Sequence, residues 1–225
     1  MDSVQLVLAS ASPRRAELLR AASISFEVMP AEIDESLLLG ETPEAHVRRL
    51  AEAKARAVIP RAGERPVLAA DTVVVVDGEV LGKPVDADDA ARMLRLLSGR
   101  AHEVMTAVCL AGPSKAGHYV LIGPAKAGHY VLIGPAEAGR YVQTEVAVTT
   151  QTEVAVTTVE FAPLTEAEIA WYIGSGESAD KAGAYAIQGL ASRFVTLIEG
   201  SYANVVGLPV ALVYDLCKRM GILIS

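Results

Sequence analysis

The sequence is poor in cysteine and has no excess of basic residues, and both scarcities exclude classes of protein. Its 225 residues contain two cysteines, Cys109 and Cys217, far apart and outside any CxxC or Cys/His pattern. We therefore expect neither a zinc site nor a disulfide framework, but reduced thiols that pack in a core. The net charge of −7 offers no surplus of lysine and arginine to nucleic acid or to an anionic membrane, so neither partner is expected.

Long apolar runs are also missing. Hydrophobic residues make up 52% of the chain, yet no stretch approaches the ~18 uncharged apolar residues that a membrane span requires. The N-terminus lacks the basic and then apolar pattern of a signal peptide, and nothing in the middle of the chain reads as a linker. We expect one domain over residues 1–225, without a membrane span and located in the cytoplasm.

The most informative stretch is Val67 to Pro84. Its apolar, β-branched first half predicts a strand buried on both faces, and Asp77-Gly78 predicts a tight turn into a second, antiparallel strand. Asp71 lies within the buried run, where a carboxylate costs several kcal/mol unless a cation, a metal or hydrogen bonds meet it. Strict hairpin pairing sets Thr72 opposite Lys83, and a bulge would turn Lys83 towards Asp71. Asp71 is the first candidate for chemistry, with a plain buried ion pair as the alternative.

A second candidate region follows the short apolar strand that the sequence predicts at Gln5 to Ala9. Ser12 suits a helix N-cap and Pro13 the first helical position, so a helix begins where Arg14 and Arg15 stand, shortly after Ser10. Free amides, the positive end of the helix dipole and two guanidinium groups favour a bound phosphate. The alternative is a solvated basic first turn.

Two further features carry charge. Glu32, Asp34 and Glu35 form an acidic loop that could hold a hard cation or could simply be solvated. Lys54 falls on the apolar stripe of a helix that opens at Thr42-Pro43, so its stem lies on the core side. Its ammonium group either snorkels to solvent or meets an anion.

The chain repeats itself after Ala116. An eleven-residue unit occurs at 116–126 and 127–137, and Gln-Thr-Glu-Val-Ala-Val-Thr-Thr occurs at 143–150 and 151–158. Two copies are too few for a solenoid, so we interpret residues 112–158, approximately, as a β-hairpin insertion enlarged by duplication. His118 and His129 are then carried along by the repeat and are not a metal pair.

Six motifs in order resemble the Maf family of nucleoside triphosphate pyrophosphatases. They are Leu-Ala-Ser-Ala-Ser-Pro-Arg-Arg at 8–15, Ala-Asp-Thr-Val-Val at 70–74, Leu-Gly-Lys-Pro at 81–84, Leu-Ser-Gly-Arg-Ala-His at 97–102, Asp-Lys-Ala-Gly-Ala-Tyr-Ala-Ile-Gln-Gly at 180–189 and Asn-Val-Val-Gly-Leu-Pro at 204–209. The resemblance spans residues 4 to about 221 apart from the repeats.

This resemblance implies an α/β fold like that of the Maf and inosine triphosphate pyrophosphatases: a long twisted mixed β-sheet with flanking helices and two lobes around a central cleft. It also implies a cytoplasmic homodimer that depends on a divalent metal cation, Mg²⁺ or Mn²⁺. Asp71 matches the acidic residue that is catalytic in the family, either as a base for water or as a holder of the metal. Arg14, Thr72 and Gln188 match the positions that separate a dTTP/UTP subgroup from a 7-methyl-GTP subgroup.

The implied reaction is hydrolysis of dTTP or UTP, or of modified pyrimidine triphosphates, to the monophosphate and pyrophosphate. Glu35 and Asp71 would supply carboxylates for the metal. The alternatives are a pyrophosphatase for 7-methyl-GTP and a nucleotide-binding regulator of septum formation or cell division that does not turn over its ligand. The predicted substrate-binding residues are Ser10, Arg14, Arg15, Lys54, Thr72, Lys83, Lys181 and Gln188.

Overall fold

A computed structural model describes residues 5–113 and 148–222, and its centre is a β-sheet. Within these residues the sheet has seven strands in the order β2-β1-β3-β5-β6-β7, with the short β4 paired to one end of β3. β1 is parallel to β2 and β3, and the remaining pairs are antiparallel, which confirms the predicted mixed sheet. The strands are β1 (Leu6–Leu8), β2 (Phe26–Val28), β3 (Val67–Val76), β4 (Glu79–Leu81), β5 (Ala101–Pro113), β6 (Val148–Phe161) and β7 (Val195–Glu199).

Helices flank the sheet, and several of them begin at side-chain caps. The Thr42 and Asp86 side chains accept hydrogen bonds from first-turn amides, and Thr165 and Glu168 form a reciprocal capping box. Two 3₁₀ turns cover Ala182–Ala184 and Leu190–Phe194. The helices are α1 (Pro13–Ala21), α2 (Pro43–Ala62), α3 (Ala87–Leu97), α4 (Glu166–Gly174), α5 (Tyr202–Val206) and α6 (Val210–Met220). None in the described part of the chain is long and apolar enough to cross a membrane.

The central hairpin is confirmed, but one predicted pairing is wrong. Asp77 and Gly78 both have positive φ, at 51° and 81°, as a two-residue turn between right-twisted strands requires. β4 ends at Leu81, however, so its ladder never reaches Lys83, and Thr72 pairs with Thr106 of β5 instead.

The alternation of side chains along β3 assigns its residues to two different layers. Val67, Ala69, Val73 and Val75 pack in one cluster with the inner face of α2. Even-numbered residues pack on the opposite face, with α1 and α6 at one end of the strand and with α3 and α4 at the other. Because side chains alternate with a period of two, Asp71 faces α2 and Thr72 faces the α1 side.

β5 and β6 form a long antiparallel pair, and β6 includes part of the region that we interpret as a hairpin insertion. Residues 103–110 of β5 pair with residues 151–158, which are the second copy of the eight-residue repeat. The eleven-residue repeats, with His118 and His129, lie outside the described residues. Cys109 in β5 and Cys217 in α6 are buried and unbridged, which confirms the predicted core thiols. Burial raises the pKa of each thiol to about 11.

Candidate active site

The candidate site lies where one edge of β3 changes its partner. β1 pairs with this strand at Val67 and Leu68, whereas β4 pairs with it from Val74 onwards. Between them, no strand of residues 5–113 or 148–222 pairs with the edge near Asp71, so side chains and ligands can approach the backbone. A cleft of about 350 Å³ opens at this gap.

The structure brings all the predicted site residues to this one cleft. Its lining includes Ser10, Arg14, Arg15, Glu35, Lys54, Asp71, Thr72, Lys83, Lys181 and Gln188. They come from the segment after β1, α1, the loop before α2, α2 itself, β3, the segment after β4 and the loop before Leu190–Phe194. The central cleft expected from the sequence is therefore present.

At the centre of the cleft, Lys54 joins two carboxylates. Its Nζ lies 2.6 Å from Asp71 Oδ1 and 2.6 Å from Glu35 Oε1. The side chains of Lys54 and Asp71 are only 10% and 9% exposed, whereas that of Glu35 is 47% exposed. Of the two alternatives for Lys54, the structure shows the anion contact. Lys54 takes the place beside Asp71 that the sequence suggested for Lys83.

The charge of Lys54 also acts on the more exposed carboxylate. Partial burial acts to raise the pKa of Glu35, but the hydrogen bond and the charge of Lys54, with smaller contributions from Lys83 and Arg15, lower it below its ordinary value. Glu35 is therefore an anion at neutral pH. The other two acids of its loop do not join it: Glu32 is exposed, and Asp34 Oδ1 accepts a hydrogen bond from the Ser36 amide at 2.9 Å.

Arg15 connects the walls of the cleft. Its Nε donates to the Gly207 carbonyl at 2.8 Å, and its two terminal nitrogens donate to the Ala70 carbonyl at 2.9 Å, to Ser10 Oγ at 3.1 Å and to Thr72 Oγ1 at 3.0 Å. Burial lowers the pKa of this guanidinium, and the nearby Asp71 carboxylate opposes that shift. With four protein acceptors, Arg15 is better placed to hold the site together than to bind a phosphate.

The start of α1 is better suited to an anion. Ser12 is the N-cap, but its side chain makes no capping hydrogen bond, and the first turn contains no acidic residue. Arg14 is half-buried at the cleft and, among the described residues, makes no ion pair. Ser10 Oγ accepts hydrogen bonds from the Ser12 amide and from Arg15, so its own proton is free to be donated. Uncapped amides, a guanidinium and a hydroxyl together suit a phosphate group.

The opposite wall consists of the segment from Asp180 to Gly189. The Lys181 ammonium pairs with Asp180, a lining residue that was not predicted although it lies in one of the six motifs. The small residues of this segment let its backbone pack closely against other parts of the protein. A Cβ on Gly183, where φ is +67°, would lie 2.8 Å from the Val74 side chain. Gln188 is exposed on the cleft wall.

The residues present fit a divalent cation that is bound together with a substrate. Asp71 and Glu35 approach a common point, now held by the Lys54 ammonium, and carboxylate oxygens are ligands that Mg²⁺ and Mn²⁺ accept. No group of three His, Cys, Asp or Glu side chains suited to a metal occurs in the ranges 5–113 and 148–222. Mg²⁺ usually takes only one or two carboxylates and completes its shell with water and substrate phosphates, so two are sufficient.

Fold and cleft together define a class: mixed α/β proteins whose cleft combines several cationic side chains with one buried and one half-exposed carboxylate. The family model described as Maf-like protein matches residues 5–220, and the chain belongs to this family. The resemblance inferred from the six motifs is thereby confirmed.

Relatives match almost the full chain. A protein named dTTP/UTP pyrophosphatase from Koribacter versatilis (strain Ellin345) is 47% identical over 218 residues, covering 97% of this chain and 95% of its own. Another of that name from Anaeromyxobacter dehalogenans (strain 2CP-1 / ATCC BAA-258) is 49% identical over 217 residues, covering 96% and 94%. Among solved structures, the Staphylococcus aureus Ham1 protein is similar at 13% identity and a TM-score of 0.46, over 96% of this chain and 98% of that one.

Proposed function

We propose that this protein hydrolyses dTTP and UTP between the α and β phosphates, releasing the nucleoside monophosphate and pyrophosphate. Membership of the Maf family and the names of two relatives at 47% and 49% identity support the reaction and the substrates. The observation that carries the proposal is the buried Asp71 carboxylate, held at 2.6 Å by Lys54 on the wall of a cleft rich in cations.

The triphosphate is bound by the cationic side of the cleft. Arg14, Lys83 and Lys181 provide positive charge, and Ser10 provides a hydroxyl proton to a phosphate oxygen. Charge that develops on the reacting phosphoryl group must be neutralised, and preorganised donors do this best where water is largely excluded. Arg15 acts indirectly, because it holds Ser10 and Thr72 in place.

Asp71 acts as the general base for the attacking water. Its Oδ1 is engaged by Lys54, while no protein hydrogen bond to Oδ2 is found in the described part of the chain. In our proposal Oδ2 accepts a proton from the water as the water attacks phosphorus, and the Lys54 ammonium steadies the carboxylate. Mg²⁺ or Mn²⁺ would be held by Glu35 and Asp71 through the carboxylate lone pairs that Lys54 and the water leave free, together with substrate phosphates, and would supply Lewis-acid stabilisation of phosphate charge.

Gln188 reads the base. A primary amide both donates and accepts hydrogen bonds, so it can pair with the N3–H and O4 edge shared by uracil and thymine. Arg14 and Thr72, the other two positions implied in subgroup choice, lie on the same cleft. Hydrogen-bonded recognition of this kind discriminates against bases that would leave the amide unpaired.

The family resemblance also bears on the state of the protein in the cell. We propose a homodimer in the cytoplasm with a nucleoside triphosphate as its partner and without nucleic acid or membrane. Light scattering with mass determination at micromolar concentration tests the dimer directly.

The decisive experiment is pyrophosphate release from a panel of dTTP, UTP, CTP, GTP, ATP and 7-methyl-GTP, with Mg²⁺ and with Mn²⁺. We expect kcat/KM to be highest for dTTP and UTP. Binding of UTP without pyrophosphate release would indicate a nucleotide sensor and would refute the enzyme. Release from 7-methyl-GTP in preference to UTP would refute the subgroup assignment alone.

A further inference from the structure

Gln188 is presented by a tight turn. The Ala186 carbonyl accepts a hydrogen bond from the Gly189 amide at 3.0 Å, so Ile187 and Gln188 are the two central residues of a four-residue turn. Ile187 is buried and anchors the turn in the core, while Gln188 is exposed on the cleft wall. The position of the Gln188 amide therefore depends on how firmly this turn is held.

Two side chains outside the cleft hold both ends of the turn. At its start, the Ala186 amide donates to the Tyr172 hydroxyl at 3.0 Å. At its exit, the Leu190 amide donates to Glu177 Oε2 at 3.0 Å, and the Ala191 amide donates to Oε1 at 3.4 Å. Tyr172 and Glu177 are themselves joined, because the tyrosine hydroxyl donates to Glu177 Oε1 at 2.8 Å. The Tyr172 hydroxyl and the Glu177 carboxylate therefore hold the turn on both sides of Gln188, and we call this pair of side chains the bracket.

The bracket is tight. A Cβ on Gly189 would overlap the Glu177 carboxylate, so any larger residue at position 189 would push this side chain away from the turn. Tyr172 is fully buried. Burial raises the pKa of its hydroxyl well above the ordinary value, so the proton that it donates to Glu177 is retained at every physiological pH.

The bracket is separate from the reacting end of the site. Asp71, Lys54 and Arg15 lie on β3, α2 and α1, and their hydrogen bonds involve neither Tyr172 nor Glu177. Tyr172 belongs to α4, and Glu177 comes after that helix and a short turn. A change in the bracket should therefore alter how the base is held before it alters the chemistry at phosphorus.

We propose that Tyr172 and Glu177 are positioning residues for substrate specificity, which hold the Gln188 amide where it meets the pyrimidine edge. This proposal rests on the proposed function, in which Gln188 reads the base.

The test compares kcat and KM for UTP and GTP in the wild type, Tyr172→Phe, Glu177→Ala and Gln188→Ala. For both bracket variants we expect KM for UTP to rise roughly 3- to 10-fold with kcat within about 2-fold, the pattern of lost binding rather than lost chemistry. The ratio of kcat/KM for UTP over GTP should fall by a similar factor. Tyr214→Phe and Glu166→Ala, at exposed positions on α6 and α4, are matched controls that should keep wild-type values.

A double variant separates positioning from general loosening of the fold. If Tyr172 acts through Gln188, Tyr172→Phe should change KM by less than about 2-fold in a Gln188→Ala background, because coupled residues are not additive. Full additivity, or an equal fall of kcat for UTP and GTP, would overturn the proposal. The proposal would also be overturned if the wild type prefers UTP and both bracket variants keep its ratio of kcat/KM for UTP over GTP. That result would leave the proposed function intact. A wild type that releases no pyrophosphate from UTP or dTTP overturns both.

Discussion

Replacing Asp71 with asparagine removes the charge at the centre of the site while keeping its shape. The carboxylate lies within a strand buried on both faces and contacts Lys54 at 2.6 Å. An amide can still accept the hydrogen bond from Lys54, but it cannot take a proton from water and binds a cation poorly. We expect kcat for UTP and dTTP to fall at least ~100-fold, the range for loss of a catalytic acid or base.

The effect on stability should be small by comparison. Removing one partner of a buried ion pair commonly costs about 3–5 kcal/mol, because the other charge is left uncompensated. Here Lys54 keeps Glu35 at 2.6 Å, so the structure points to a smaller cost. We estimate about 1–2 kcal/mol for Asp71→Asn, a fall in Tm of about 2–8 °C.

Lys54→Met provides the complementary test. This variant removes the ammonium that contacts the buried Asp71 carboxylate, so the Tm of Lys54→Met should be lower than that of Asp71→Asn. Combining the two substitutions removes both charges and should raise Tm above that of Lys54→Met alone. A double variant that is less stable than both single variants would contradict this account of the pair.

The assay is pyrophosphate release at saturating nucleotide, with Tm measured on the same preparations. Asp215→Asn is the matched control, because Asp215 also pairs with a cation, Arg219 at 3.0 Å, but on the exposed surface of α6. Its kcat should equal that of the wild type. If Asp71→Asn retains undiminished turnover, Asp71 has a structural role only and the proposed site is wrong.

Three further predictions concern the fold. Burial lowers the pKa of His102 from 6.5 to about 4. Because the unfolded chain binds this proton at higher pH than the native protein does, lowering the pH from 6.5 to 4 should cost up to about 3 kcal/mol of stability; His102→Gln should flatten the measured pH dependence of Tm. With pKa values raised to about 11, Cys109 and Cys217 should resist Ellman's reagent at about pH 8 in the native protein and react in urea. Deleting Lys115 to Thr150 should preserve kcat and folding, because loop closure changes by only about 0.6 kcal/mol per doubling of length; a soluble but inactive product, or a changed oligomer mass by light scattering, would show that the segment contributes to the site or to an interface.

Features with a local cause could be predicted from the sequence. The Asp77-Gly78 turn and the capping box at Thr165 depend on residues a few positions apart, and the structure shows both. The helical stripe that places Lys54 towards the core is also local in origin. Its partner could not be predicted this way, because the contact with Asp71 also requires knowing which face of β3 is turned towards α2.

The helical period distinguishes Arg14 from Arg15. Neighbouring helical residues point about 100° apart, so adjacent arginines cannot both face the same ligand in the same way. Arg15 precedes Leu19 by four positions, and both are buried on the inner face of α1. This spacing indicates that Arg15 points inward, where it bonds to Ala70 and Gly207.

Short elements held by tertiary contacts were not predicted. β2 is a three-residue strand whose residues are exposed or half-buried, and its parallel pairing with β1 gives no periodicity that could be recognised. α5 has five residues and begins where the Ser201 side chain accepts a hydrogen bond from the Asn204 amide. The Asn204 side chain then donates to the Val104 carbonyl at 2.9 Å, a contact between residues a hundred positions apart. Such elements depend on the assembled sheet rather than on local sequence.

The eight-residue repeat shows how non-repeated neighbours determine a register. Because its length is even, the copies at 143–150 and 151–158 present the same side chains to the same faces, and local pattern cannot say which one pairs with β5 at 103–110. In the structure the second copy does, with Gln151 opposite Leu110 and Thr158 opposite Glu103.

The residues directly after the second copy account for this register. Val159 pairs with His102, and Phe161 is buried with its ring centroid 5.1 Å from that of His102. Sliding β6 by eight residues would keep every face of the repeat but would remove Val159 and Phe161 from the core, each a loss of roughly 1.5–3 kcal/mol of burial. The deletion that joins Ser114 to Gln151 therefore retains the copy whose register the core specifies. A four-residue link, Ala111 to Ser114, is left to close the hairpin, within the range of common hairpin loops.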